Sequence, residues 1–259
     1  MRPLRQAASR CLGAVLIAGS ARAAVLLTAI AAGAAFPGRA QAAGAAYVVD
    51  TADVSEPGAC KVESWASAAS NHDFFAATSP ACVADLFHPV EISTQFSRSR
   101  ADMDWATTAI PKLKANLVPT AIGSWGFALS GAAAFDLNTR ENIAIAVTVP
   151  ATLRISNVVR INLNAGWLWD RLAQQHYATY GAGLDWRTPD NVWTLTAEVF
   201  GLLGAPQDLV GVTQPRFQVG LRWRPIDDFN VDLIYGRNLY GENANWITLA
   251  TVFRFHVGQ

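Results

Sequence analysis

Five arginines and three acids in the second half of the chain sit where a β-strand would turn them all to one face. They are Arg160, Asp185, Glu198, Arg216, Arg222, Arg224, Asp232 and Arg254. From Arg216 the sequence alternates. Phe217, Val219, Leu221 and Trp223 are large and apolar, while Arg216, Gln218, Gly220, Arg222 and Arg224 between them are polar, charged or glycine. Successive side chains of a strand point to opposite faces, so this strand has one greasy face and one charged face. Fixed charges on an inner wall can line a water-filled path and set which ions pass. Approximate hairpin registers place Arg160 opposite Asp185, Glu198 opposite Arg216 and Arg222 opposite Asp232, with Arg224 and Arg254 lower, near one mouth. The same pairs would also neutralise one another and stiffen the wall.

Enzymatic chemistry has less to work with. His72, His88, His176 and His256 all fall at predicted strand ends or loops, where surface residues are more common than bases, and His176 has no serine at a matching offset. There is no phosphate loop, dinucleotide fingerprint, zinc-ligand spacing or paired-carboxylate signature, so neither a cofactor nor a metal is expected.

Twelve strand-like segments can carry these residues: 59–67, 73–86, 90–100, 104–115, 120–135, 141–154, 158–169, 175–187, 191–202, 213–225, 229–238 and 245–256. Counting back from the last strand, the turns at 227–228, 188–190, 156–157, 116–119 and 88–89 are short. The connections at 239–244, 204–212, 170–174 and 136–140 are longer. Short turns on one side and longer loops on the other are what an even-stranded membrane barrel requires. Trp186, Trp193, Trp223 and Phe229 cluster beside the short turns, and Trp167, Trp169, Tyr235 and Trp246 near the loops, as two membrane interfaces select. The predicted fold is all-β: a transmembrane antiparallel up-and-down β-barrel of about 12 strands covering 59–259.

The N-terminus points to export. Residues 1–42 hold five arginines, no acid, two short apolar runs and a closing Ala40-Gln41-Ala42, which reads as a signal peptide. Its removal leaves 15 basic against 20 acidic residues, a net charge of −5 with His neutral, which argues against a nucleic-acid partner. Cys60 and Cys82 remain. Both lie eleven residues from a hairpin centre at Asn71, so they face each other across two strands and are expected to form a disulfide.

The export signal, the alternating strands and the terminal Phe253-Arg254-Phe255 resemble those of bacterial outer-membrane β-barrel proteins. The stretch with Glu198, Gly201, Gln214 to Arg224 and Tyr235-Gly236-Arg237-Asn238 is similar to outer-membrane transporters grouped with phenol meta-pathway degradation. The resemblance implies an outer-membrane location, contact with outer-membrane lipid, and recognition by the barrel assembly machinery through Phe253 and Phe255. His256 to Gln259 extend beyond that aromatic pair, a departure from the usual ending.

Inward positions include Gly126, Ala128, Ala132, Ala144, Ala146, Gly181, Gly183 and Gly220, whose small side chains leave room in the lumen. About twelve strands lie between filled eight-stranded barrels and open porins. The expected function is a narrow channel for passive passage of small solutes. A structural or ligand-binding barrel without transport is the second reading, and an outer-membrane lipid-modifying enzyme the third. Residues 43–58 form an N-terminal periplasmic extension. It reads first as a disordered tail; the second reading is that its Asp50, Asp53 and Glu56 dock near Arg187, Arg224 and Arg254 and partly plug the mouth.

Overall fold

The computed structural model describes residues 46–101, 104–203, 215–239 and 244–257. The segment read as a signal peptide lies outside them. Twelve strands follow in order: β1 (Ala59–Ala69), β2 (Phe74–Leu86), β3 (His88–Ala101), β4 (Asp104–Val118), β5 (Trp125–Asp136) and β6 (Glu141–Arg154), then β7 (Val159–Asp170), β8 (Gln175–Arg187), β9 (Trp193–Leu203), β10 (Arg216–Ile226), β11 (Phe229–Asn238) and β12 (Asn245–His256). Each pairs antiparallel with its sequence neighbours, and β1 closes on β12 through a continuous register from Ala59↔His256 to Ala69↔Trp246. Closure leaves no open edge, which a sheet in hydrocarbon cannot tolerate.

The two faces of the wall are inverted relative to a soluble protein. Phe96, Leu113, Val147, Leu184, Leu195, Leu221, Leu233 and Leu249 are exposed on the outside. Lys61, Glu91, Lys114, Arg160, Asp185, Glu198, Arg222 and Asp232 are buried inside. Charged groups are almost never fully buried in water-soluble domains, and a continuous apolar exterior has no place in water. Both are expected of a sheet with lipid outside and polar contacts within. Aromatic rings mark the two rims. Trp193 stacks on Trp223 at the short-turn end, with ring centroids 6.3 Å apart. At the loop end His176 lies between Trp167 and Trp169, 5.5 and 5.9 Å away.

Strand 5 begins later than the alternation predicts. Strand 4 continues to Val118, residues 119–124 form the turn, and Ile122 makes a parallel bridge to Arg154. Gly123 takes φ +79° there, a backbone state that favours glycine. Thr120 folds back over Gly126, where an added Cβ would come within 2.2 Å of its hydroxyl. Gly126 therefore accommodates the turn and adds no free space to the lumen. Cys60 and Cys82 are direct partners at the short-turn end of β1 and β2, joined by a disulfide with Cα atoms 4.1 Å apart.

Candidate functional site: a charged lumen and the segment seated in it

The lumen is occupied by the chain's own N-terminal segment. Tyr47, Val49, Asp50, Thr51 and Ala52 are buried within the barrel. The segment runs from mid-lumen at Ala46 toward the short-turn mouth at Asp53, and Gly58 then donates its N–H to Val83 O as the chain enters β1. Its backbone is held by side chains of the wall. The N–H groups of Val48 and Val49 donate to the Glu198 carboxylate at 2.9 and 3.3 Å. The Asp50 N–H donates to Asn164 Oδ1 at 2.7 Å, and Asn164 Nδ2 donates to Asp50 O at 2.8 Å. Ala52 N donates to Thr152 Oγ1, and Asn116 Nδ2 donates to Ala52 O. Buried backbone groups must find partners, and these replace the water that would otherwise satisfy them.

Two carboxylates anchor the segment. Asp50 takes Lys112 Nζ at 3.0 Å on one oxygen and Lys114 Nζ at 2.9 Å on the other. Asp53 takes Arg154 at 3.3 Å and Arg160 at 3.1 Å. Arg160 also binds Asp185 at 2.9 Å. A cavity of about 330 Å³ opens at the mouth beside these groups, lined among others by Arg154, Arg160, Asp185 and Arg187.

The expected docking site of the extension is therefore corrected. Asp50 and Asp53 reach the inner wall of β4, β6 and β7 and do not pair with Arg187, Arg224 or Arg254. Arg224 instead approaches Asp227 at 3.7 Å, and Arg254 donates to Asn230 Oδ1 at 2.7 Å. The small inward residues also do something other than leave open room. A Cβ on Gly220 would come within 2.1 Å of the Tyr47 hydroxyl, and one on Gly181 within 2.9 Å of Val49. These glycines make space for the seated segment. Ala132, Ala144 and Ala146 pack with Ile110, Leu168, Tyr177 and Leu202 into an apolar layer.

Of the eight charged residues singled out from sequence, two pairs meet as the registers anticipated. Arg160 faces Asp185, and Arg222 faces Asp232 with Nε 2.7 Å from Oδ1. Glu198 does not face Arg216. Its partner is Gln218, which donates to it at 2.8 Å, while Arg216 lies opposite Phe200. The slip is two residues, so both groups keep their face and change only their neighbour. Sequence reasoning missed Lys112 and Lys114. Their signal was the alternation Lys112-Leu113-Lys114, which places two cations side by side on the inner face.

A closed 12-strand barrel with an apolar exterior and a charged interior is the architecture of bacterial outer-membrane β-barrel proteins. The chain belongs to the family described as uncharacterised conserved protein UCP029691, which it matches over residues 31–255. No curated protein matches it. Among solved structures it is similar to the KdgM porin (TM-score 0.58, 9% identity, covering 76% of this chain and 99% of that one). It is also similar to the COG4313 outer membrane channel from Pseudomonas putida F1 (TM-score 0.54, 16% identity, 78% and 97%). A third is outer membrane phospholipase A from Escherichia coli (TM-score 0.50, 7% identity, 75% and 95%). The shared fold spans channels and a phospholipase, so activity must be argued from the lumen.

Proposed function

We propose that this protein is an outer-membrane channel for small solutes, closed at rest by residues 46–53. The observation that carries this reading is how the segment is held. Side chains of Asn116, Lys114, Thr152, Asn164 and Glu198 grip it, so it can leave without disturbing the sheet that carries them. Those groups are polar and charged, and once bared they would line a wet path. The acidic extension expected from sequence acts here as the stopper, and Arg160, Asp185, Glu198, Arg216, Arg222, Arg224, Asp232 and Arg254 form the surrounding wall. Export through residues 1–42 and assembly through the stacked, outward Phe253–Phe255 pair belong to the same proposal.

The test is single-channel recording in planar bilayers with the intact mature chain and with a chain lacking 46–53. Rare openings in the first and sustained discrete steps in the second support the proposal. Two equally silent, folded and inserted barrels would refute it and favour a structural or ligand-binding role.

A further inference from the structure

The wall places like charges side by side where it most needs opposite ones. Lys112 and Lys114 project from β4 on the same face. Their partners on β5 are Ala132 and Ser130, and those on β3 are Ser93 and Glu91. Glu91 binds Lys61 at 3.2 Å. Among the described residues the ion pairs of Lys112 and Lys114 are with Asp50 alone. One strand pair further on, Arg154 stands directly opposite Arg160. Like charges in direct register repel and weaken a sheet. The two buried lysines are thus costly unless an anion sits between them. At the arginines the wall's Asp185 already holds Arg160 at 2.9 Å, and the ion pair of the half-buried Arg154 among the described residues is with Asp53. In the resting barrel the anion is a carboxylate in both cases, Asp50 at the lysines and Asp53 at the arginines.

We infer that these two carboxylates occupy the binding stations of the permeating solute, and that the solute is a small organic anion bearing carboxylate groups. The inference rests on the channel reading above and deepens it. The segment closes the path by imitating its cargo: a carboxylate at Lys112/Lys114 and a second at Arg154/Arg160. Asp53 lies three positions after Asp50, so their Cα atoms are at most about 10 Å apart along an extended chain. A short dicarboxylate spans part of that distance, and a monocarboxylate steps from one station to the next. The 330 Å³ cavity with Arg154, Arg160 and Arg187 on its walls opens on the second station from the mouth. Multiple stations, each binding weakly enough to release, are what conduction requires.

The experiment uses the chain lacking 46–53 in a planar bilayer under a tenfold potassium chloride gradient. The full-length Asp50→Asn/Asp53→Asn protein serves as a second open form in case the truncation fails to fold. Expected is a chloride-over-potassium preference of roughly threefold or more. Adding Lys112→Gln/Lys114→Gln to either open form should bring the ratio back toward one. Succinate should block the chloride current at several-fold lower concentration than acetate or inorganic phosphate. Steps that favour potassium, or a preference unmoved by the lysine changes, overturn this inference and leave the channel standing. Phosphate that blocks as well as succinate overturns the carboxylate assignment. Inserted barrels that pass no current overturn the channel reading, and this inference with it.

Discussion

Replacing Asp50 with asparagine removes one charge and almost no volume from the seated segment, and it is expected to open the barrel. Asp50 accepts from Lys112 and Lys114 at 3.0 and 2.9 Å, both wholly inside the lumen. Removing one partner of a buried ion pair typically costs about 3–5 kcal/mol, because the other is left charged and dry. Here the lysines regain water once the segment leaves, so the cost falls on the seated state alone. At the lower end, about 3 kcal/mol shifts the seated-to-released ratio by roughly 150-fold. A segment released about 0.1% of the time would then be out for more than about 10% of it. Planar-bilayer recording reads this directly as open probability, and heat-modifiable migration in detergent confirms that the variant is folded. If folded Asp50→Asn barrels open no more often than wild type, the two lysine contacts do not hold the segment and the argument fails.

Three further outcomes follow from the same geometry. Gly220→Val puts a Cβ within 2.1 Å of the Tyr47 hydroxyl and should raise open probability with every charge intact; an unchanged closed state would show that Tyr47 seats elsewhere. Arg222→Ala leaves Asp232 buried and unpaired and should cost about 3–5 kcal/mol of barrel stability, read by urea unfolding in detergent, whereas Arg222→Met/Asp232→Leu should cost far less. Cys60→Ser/Cys82→Ser removes a cross-link of 22 residues' separation and should lower stability by about 3 kcal/mol in the same titration while leaving conductance unchanged.

The barrel was legible in the sequence because its signal is local. Alternation such as Trp193-Thr194-Leu195-Thr196 fixes a face within a few residues, and the distance of Cys60 and Cys82 from Asn71 fixes one hairpin register. Where the connection is long, between β9 and β10, alternation still gave the face of Glu198 but not its partner. At 119–124 a chain that could have continued as strand folds back, because Gly123 adopts a positive φ and Thr120 covers Gly126. The segment was legible as acidic and as a candidate plug at the mouth, but not as one seated deep against β4, β6 and β7. Its contacts with Asn164 and Glu198 join residues more than a hundred positions apart, and no periodicity encodes them. The one available clue was a pair of inward lysines, Lys112 and Lys114, facing a single acid, Glu91, on β3.

Only Val54 to Gly58 lie between Asp53 and the first strand, and hydrogen bonds from Ala59 N to Glu56 O and from Gly58 N to Val83 O fasten the near end of that stretch to the rim. Five residues reach about 17 Å at full extension, so a displaced stopper stays leashed at the mouth it has just left. A short leash holds its cargo at an effective concentration on the order of millimolar. Return is then a first-order event, indifferent to how many copies of the protein surround it. On the channel reading, a gate of this kind would keep its own time, and a solute holding it open would have to win against a competitor that never diffuses away.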